Sequence, residues 1–481
     1  MDTTKHRRRN LLENKFFKRL ILSRNIQPLA QMINFLLFIL VIITGIIGVS
    51  LGAKNLSVVF TWIVWSVLLA LVLTPFLGRI WCFMCPIVWP GEIIQRKLWG
   101  RFGTSRILDK HWPKSLSNVW LQNFVFIAFA SLMVVFITRP LPTSIVVITL
   151  IIIATILFII FPRRRFCRHV CPPSLFIGLY AQFSLLEVRV KDRDICLIPS
   201  SNGGCHKECF VGSEKGYGCP WYEFPQNMVS NADCGLCTEC FKTCPKDNIA
   251  LNIRPFEAEL KSKEVHREAE LKSKEVHRKP DEAWRSLILL GLPVMYSAVL
   301  FGPWSWLKNW GDLLLYSTSV GIIQHFFYVI LVVDVVLGVF PGLHLLASYA
   351  SKLLIGAKEV STRKIFVSYA YAYIPLGLML WVGFNFSLIM MEWSYIPVVA
   401  SDPFGAGWNL LGTTYMPWTP LALPIPIGEI AFASIGVILS LNLGYFELKQ
   451  LFQNKKDAVK ALIPFMILTV MIASFYLWFY V

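Results

Sequence analysis

Four cysteines near the middle of the chain have a spacing that is typical of iron–sulfur ligation. They are Cys234, Cys237, Cys240 and Cys244, and Pro245 follows the last of them. The run reads C-x2-C-x2-C-x3-C-P, which binds a [4Fe–4S] cluster through cysteine thiolates. Because such clusters are oxidised and reduced reversibly, the run predicts electron transfer.

Four further cysteines precede this run and also end in a Cys-Pro pair, as in a two-cluster ferredoxin. In such ferredoxins the fourth cysteine of each run ligates the other cluster. Cross-ligation therefore predicts two ligand groups. They are set A (Cys219, Cys234, Cys237 and Cys240) and set B (Cys196, Cys205, Cys209 and Cys244). A zinc site remains the alternative for either set, and more so for set B, whose x8 and x3 spacings depart from the usual x2 and x2.

The last four of the twelve cysteines stand at the ends of apolar segments, each pair followed by a proline. This set C consists of Cys82, Cys85, Cys167 and Cys171. Several arginines beside it could offset the negative charge of a thiolate-ligated cluster. They are Arg79, Arg163, Arg164, Arg165 and Arg168. Three interpretations stay open for set C: a third cluster at the membrane surface, redox-active thiols or a disulfide, and inert packing.

Composition predicts a protein that crosses a membrane many times. The 481 residues are 55% hydrophobic and 16% charged, and their mean hydropathy is +0.57. Several apolar runs reach the roughly 20 residues that a membrane-spanning helix needs, and a single segment satisfies its backbone in lipid only as a helix. The fold class is therefore an all-α polytopic membrane protein. About nine spanning helices are expected, near residues 31–53, 57–77, 118–138, 143–161, 286–303, 318–340, 365–390, 425–446 and 460–481.

The net charge of +17 is distributed as the positive-inside rule requires. Loop 79–116, for example, carries seven Lys and Arg against two acidic residues. This pattern predicts a cytoplasmic N-terminus, a first helix retained as an anchor, and a cytoplasmic position for residues 181–284 in the cell membrane. No nucleic-acid-binding motif accompanies the charge, so nucleic acid is not an expected partner.

The cysteines and apolar runs divide the chain into four predicted regions. They are a four-helix membrane region with two Cys-Pro motifs (1–180), an inserted small α+β two-cluster ferredoxin-like domain (181–256), a charged spacer (257–284) and a second membrane region of about five helices (285–481). The spacer contains the tandem repeat EAELKSKEVHR at 257–267 and 268–278. Its Glu257–Lys261 and Glu259–Lys263 pairs predict a solvated helix; a partner-docking helix is the alternative.

Polar residues inside the apolar segments are candidate functional sites, because burying them in lipid is costly. Asp334, Asn385 and Glu429 are of this kind, and His325 and His344 flank Asp334. The two histidines are about 28 Å apart along one helix at 1.5 Å per residue, so they cannot both ligate one haem. Each is then more simply a hydrogen-bonded interface residue.

The N-terminal 250 or so residues resemble the NapH/NosR/CcoG group of membrane polyferredoxins. The resemblance rests on the Cys82–Pro86 and Cys167–Pro172 motifs after helical hairpins, followed by the two-cluster domain. The first motif is one residue shorter than the C-x3-C-P form of the family. The resemblance implies quinol-linked electron transfer to respiratory reductases, or redox service in metal-centre assembly. It does not cover the helices that follow the spacer.

The sequence thus predicts an iron–sulfur protein that links the quinone pool to [4Fe–4S] clusters on the cytoplasmic face. Two clusters are expected, with a possible third at set C. Expected partners are membrane lipid, quinone and a membrane or extracytoplasmic redox protein, and the chain could act as a quinol dehydrogenase. One alternative is a metal-reducing assembly factor for a respiratory enzyme. Another is a transporter with Asp334 and Glu429 as coupling residues.

Four side chains near set C are candidates for the proton chemistry of quinol oxidation. They are Trp81, Trp89, Glu92 and His169. Glu92 is the best proton acceptor among them by residue type. The competing interpretation of Glu92 is a surface carboxylate that pairs with Arg96 four residues on.

Overall fold

The protein is described from a computed structural model, which covers residues 8–98, 108–198, 204–228, 230–261, 278–313, 319–356, 360–452 and 454–480. The chain folds into two compact units that interleave in sequence. Unit 1 comprises Met1–Leu40, Val72–Gln122 and Val146–Lys272, and unit 2 comprises Val41–Leu71, Asn123–Ile145 and Ser273–Val481. All twelve cysteines belong to unit 1.

The prediction of an all-α polytopic membrane protein is confirmed. Within the described residues, eight helices are long and apolar enough to cross a membrane. They are Ile26–Ile47, Leu56–Leu77, Pro140–Ile160, Pro280–Leu300, Ser319–Ile355, Thr362–Glu392, Ile425–Phe452 and Lys455–Leu477. Seven of the nine predicted helices match one of these helices to within about six residues at either end. The expected helices at 118–138 and 318–340 differ from them.

The expected helix at 118–138 is interrupted. Trp120–Ser131 forms a helix of 12 residues, and Met133–Thr138 forms a separate helix of six after Leu132 leaves the helical conformation. The Ser131 hydroxyl donates to the carbonyl of Ile127 at 2.8 Å, and such back-bonding by serine bends helices. Neither piece alone reaches the length needed to cross a bilayer.

The expected helix at 318–340 continues much further, through Ile355. Its 37 residues correspond to about 55 Å, which exceeds the thickness of the hydrocarbon core. A π-helical stretch, Asp334–Val339, lies near the middle. Pro341 lies two residues beyond this stretch and cannot donate a backbone N–H to the preceding turn, which accounts for the wider winding there. The side chain of Asp334 is exposed on this helix.

Unit 1 contains a small three-stranded antiparallel sheet. Ile249–Ile253 is the central strand, with Leu186–Val190 on one side and Arg9–Asn10 on the other. Val188 and Ile249 point into a hydrophobic core that includes two cysteines of the expected cluster sites. The sheet therefore positions the cysteine-bearing loops, and its N-terminal strand is an element that the sequence did not reveal.

A buried ionic network closes unit 1 where the tandem repeat begins. Glu259 lies 2.6 Å from Arg254 and 3.2 Å from Arg189, and Arg254 also contacts Glu187 at 3.3 Å. The expectation of a solvated helix is wrong for this part, since residues 257–261 form turns and Glu259 is buried. The expected Glu257–Lys261 pair does form, at 2.5 Å. Residues 262–277, with the rest of the repeat, lie outside the described residues.

Replacing Glu259 by alanine should destabilise unit 1 strongly. The change removes one partner from two buried arginines, and breaking a buried ion pair from one side costs about 3–5 kcal/mol. Thermal unfolding of the purified protein should show a clear fall in the transition midpoint. The exposed Glu214→Ala variant is the matched control and should unfold like the wild type. Equal midpoints for the two variants would mean that the network contributes nothing.

The intramembrane polar residues of unit 2 are mostly hydrogen-bonded within the helices. Asn385 donates its side-chain amide to the carbonyl of Trp381 at 2.9 Å. A ring nitrogen of His325 lies 3.2 Å from the carbonyl oxygen of Gly311, and His344 Nε2 lies 2.8 Å from that of Phe366. These contacts agree with the interpretation of both histidines as interface residues.

Candidate cluster-binding sites

The four cysteines of set A line one cavity in unit 1. Its wall is completed mostly by apolar side chains, including Trp221, Met228 and Leu236. Leu236 and Thr238 both have a positive φ, at 49° and 64°, so the loop winds tightly around the cavity. A Cβ on Gly235 would lie 2.0 Å from the indole nitrogen of Trp221. Only glycine therefore permits this close approach between the loop and the tryptophan.

The four cysteines of set B line a second cavity. Asn248 contacts two of its thiols: the backbone N–H donates to the Cys244 sulfur and the side-chain amide donates to the Cys196 sulfur, both at 3.3 Å. Each cavity thus draws its cysteines from both runs of the sequence. Among the described residues, no three or more Cys, His, Asp or Glu side chains are grouped so that they could hold a single metal ion.

Set C is also brought together, on two short helices that follow the ends of apolar helices. Ile80–Phe83 carries Cys82 and Arg165–His169 carries Cys167. All four thiols are buried and close enough to interact electrostatically with one another. Burial raises the pKa of Cys85 to about 12. Burial also raises the pKa of Cys167 and Cys171, so these three thiols would stay neutral at neutral pH unless a metal centre replaced their protons.

Hydrogen bonds fix the backbone of set C and the arginine side chain next to it. Arg79 Nη1 donates to the hydroxyl of Ser174 at 2.8 Å and lies 4.0 Å from the Cys82 sulfur. The side-chain amide of Gln122 donates to the carbonyl of Cys171 at 2.9 Å. A Cβ on Gly178 would lie 2.1 Å from the Arg79 guanidinium, so this glycine makes room for the buried cation. These contacts therefore fix the conformation of the loops that carry the set C cysteines.

Arg164 lies between set C and set A. Its guanidinium donates to the carbonyl of Cys82 at 2.7 Å and interacts electrostatically with Cys167 of set C and Cys237 of set A. Burial acts to lower the pKa of Arg164, but Glu92 and these thiols outweigh it, so the pKa is raised. A fully buried positive charge is thus shared by the two thiol sets.

Further contacts connect set C to the wall of set A. The guanidinium of Arg79 stacks over the ring of Trp221 at 4.8 Å, and Trp221 lines the cavity of set A. Arg163 donates to the carbonyl of Cys219 at 2.8 Å. On the far side of set A, Cys240 interacts with Cys209 of set B, and both lie in one hydrophobic core. The three sets therefore follow one another in the order C, A, B.

Glu92 is not a surface carboxylate. It is 5% exposed, forms a 2.7 Å ion pair with Arg164 and accepts a hydrogen bond from the Gln31 amide at 3.0 Å. The side chain of Arg96, the expected partner, is not among those that the structure describes. Reasoning from the sequence missed Arg164 as the partner and missed Gln31 entirely. The signal for Gln31 was an amide side chain in a mostly apolar helix, although Gln27 and Asn34 of the same helix give the same signal.

The three aromatic candidates near set C are packed rather than open to solvent. Trp81 and Trp89 contact Phe38 and Phe35 of the first long helix, with ring centroids 6.2 and 4.7 Å apart. His169 is buried and stacks on Trp112 at 4.9 Å. Burial, with Arg168 nearby, lowers the pKa of His169 to about 4. A neutral imidazole is therefore expected beside set C at physiological pH.

The fold and these sites define a class: a polytopic membrane protein with cysteine-lined cavities in a small α+β region. No family model matches the chain, and no solved structure matches it significantly. One curated relative, the methylamine utilization ferredoxin-type protein MauN of Paracoccus denitrificans, is 27% identical over 173 residues. The match covers 33% of this chain and 56%, about half, of that protein. This similarity supports an iron–sulfur protein of ferredoxin type and does not distinguish the NapH/NosR/CcoG group within it.

Proposed function

We propose that this chain is a membrane-bound electron-transfer protein whose twelve cysteines hold three [4Fe–4S] clusters, one in each set. The observation that carries the proposal is the lining of two separate cavities by four cysteines each, with each cavity taking its fourth cysteine from the other run. Cross-ligation of this kind is typical of two-cluster ferredoxins. When bound, such clusters supply reversible one-electron chemistry.

The residues present fit this cofactor better than zinc. The thiols of sets A and B surround a space, as ligands of a multi-atom cluster must. A structural zinc site instead needs four ligands about 2.0–2.3 Å from one point. The two N–H groups of Asn248 that face sulfurs in set B would also stabilise negatively charged sulfur, since hydrogen bonds to sulfur tune cluster potentials.

The order of the sets suggests a path for electrons. Set C follows the ends of apolar helices and precedes set A, so it is the set best placed to receive electrons from a quinol in the membrane. Quinol oxidation also releases protons. Glu92 is ion-paired with Arg164, which favours its ionised form, so its role in this proposal is to hold Arg164 beside sets C and A rather than to accept those protons. Sets A and B then carry electrons to a redox partner, and quinone and that partner remain parts of the proposal.

The function is tested by reducing anaerobically purified protein and recording its spectra. Dithionite should bleach the visible absorption of the clusters and produce paramagnetic [4Fe–4S]⁺ signals. The magnetic interaction between the clusters of sets A and B should be visible in these signals, because the two sets share one hydrophobic core. A colourless protein with no such signals, after anaerobic reconstitution with iron and sulfide, would refute the proposed electron-transfer function.

Removing the charge of Arg164 should lower the reduction potentials of the clusters in sets A and C. A buried cation favours the more negative, reduced state of a nearby cluster. Potentiometric titration of Arg164→Gln should show this fall for the clusters in sets A and C and little change for the cluster in set B. The Arg164→Lys variant keeps the charge, so its reduction potentials should stay close to those of the wild type. Arg165→Gln is the control, because Arg165 stacks on Tyr222 instead. Unchanged potentials in Arg164→Gln would exclude the shared-charge role.

We infer that the ferredoxin-like region and the N-terminus lie on the cytoplasmic side, because the basic loops follow the positive-inside rule. Lys261, just after the ionic network, and Lys272 in the repeat should then react with an impermeant amine reagent only in inside-out vesicles. Cysteine is unsuitable as the label here because every native thiol is a proposed ligand. Labelling of these lysines in intact cells would show that the orientation is the opposite of the one proposed.

A further inference from the structure

Unit 2 contains a buried carboxyl on which three of its long helices converge. Glu429, in Ile425–Phe452, is fully buried. It accepts a hydrogen bond from the Ser387 hydroxyl at 2.5 Å and another from the Tyr476 hydroxyl at 2.9 Å. Ser387 lies in Thr362–Glu392, and Tyr476 is the penultimate residue of Lys455–Leu477. The electron path proposed above does not use any of these groups.

The bundle makes room for this carboxyl without giving it a counter-charge. A Cβ on Gly383 would lie 2.2 Å from a Glu429 carboxyl oxygen, so glycine is needed for the approach. Across the described residues, Glu429 has no ion pair with Lys, Arg or His, and its polar neighbours are hydroxyls. A lone carboxylate is costly at this position, and ionisable groups within membrane helices commonly mark ion or proton pathways.

Hydroxyl partners suit a group that gains and loses a proton. A hydroxyl both donates and accepts, whereas an ionised carboxyl only accepts and a protonated one also donates. Ser387 and Tyr476 can therefore satisfy Glu429 in either state, with no buried polar atom left unpaired. An arginine or lysine partner would instead favour the ionised state alone.

A chain of hydroxyls connects Glu429 with Tyr480, a residue just beyond the end of the last helix. The Tyr476 hydroxyl interacts with that of Tyr480, and the Tyr480 hydroxyl donates to Ser297 at 2.7 Å. Tyr480 is only partly buried. Each hydroxyl can accept a proton on one side and release its own on the other, so a proton can travel along this chain with no other reactant.

We propose that Glu429 is a proton-binding site in the second membrane unit, reached through Tyr480 and Tyr476. The ligand is the proton itself: the carboxylate takes it up to form a carboxylic acid, and the hydroxyl chain is restored by the next proton from solvent. Ser387 and Tyr476 position the carboxyl, while Tyr480 provides the entrance.

Infrared spectroscopy of the full-length protein in lipid nanodiscs tests this proposal. The wild type should show a carboxylic-acid carbonyl band that titrates with pH, shifts in D2O and is absent from Glu429→Gln. Tyr480→Phe should keep the band and slow its deuterium exchange by about tenfold, the effect of one lost hydrogen bond. The exposed Tyr415→Phe should exchange at the wild-type rate.

Two results would overturn the proposal. One is a Glu429→Gln spectrum that superimposes on the wild-type spectrum over the whole pH range, since no proton would then bind at this position. The other is wild-type exchange in Tyr480→Phe, which would exclude the path. The second measurement keeps the test decisive even if Glu429→Gln fails to fold, because Tyr480→Phe leaves the carboxyl in place and removes only a hydroxyl that bonds to its neighbours Ser387 and Tyr476.

Discussion

Serine in place of Cys219 should abolish the same cluster as serine in place of Cys237, although 18 residues separate the two. Both thiols line the cavity of set A, so either change removes a ligand of one cluster and leaves the other with its four. The iron content of each variant should fall by about four per chain, the iron of one cubane. Paramagnetic resonance of the reduced protein should lose the same component in both variants.

The matched control is Cys205→Ser, which alters set B. This variant should lose the complementary component and keep the one that Cys219→Ser removes. If Cys219→Ser and Cys205→Ser instead lost the same signal, the ligands would be sequential along the chain, and the grouping of the thiols into sets A and B would not represent ligation.

Serine in place of Cys167 should block reduction of the clusters by a quinol analogue, while dithionite still reduces those in sets A and B. Cys167 belongs to set C, which lies next to set A through Arg164 and Arg79. Loss of a set C ligand would interrupt the first step of the path without touching the other two cavities. Stopped-flow absorbance with each reductant measures the effect, and the quinol rate should fall by at least two orders of magnitude.

Cys205→Ser again serves as the control, because set B comes last in the order C, A, B. Quinol should still reduce the remaining clusters of that variant at close to the wild-type rate. Unchanged quinol reduction in Cys167→Ser would exclude set C from the path, and one of its other interpretations, redox thiols or packing, would then apply.

The features that the sequence revealed are local ones. Ligand spacing in iron–sulfur proteins is set by short loops, so the Cys-Pro pairs at Cys219 and Cys244 were enough to predict which thiols line each of the two cavities. Spanning helices are similarly visible, because about 20 apolar residues leave few other solutions in lipid. Even here the boundary signal was weak: nothing in the composition of residues 118–138 marks the interruption at Leu132.

The features that the sequence hid depend on contacts between distant segments. Glu92 and Arg164 are 72 residues apart, and the i,i+4 rule drew attention to Arg96 instead. Glu259 looks like a solvated repeat residue, yet it is buried and pairs with Arg189, 70 residues earlier in the chain. The pairing of Arg9 with the central strand is of the same kind. In each case an ordinary charged or polar side chain acquires its role from partners that periodicity cannot identify.

The central claim is that the twelve cysteines of this chain hold iron–sulfur clusters. Quantification of iron, acid-labile sulfide and zinc in anaerobically purified protein tests it most directly. Three clusters require about twelve irons and about twelve sulfides per chain, with negligible zinc. About eight of each would remove set C from the cluster sites and keep sets A and B. Stoichiometric zinc in place of iron would contradict the account.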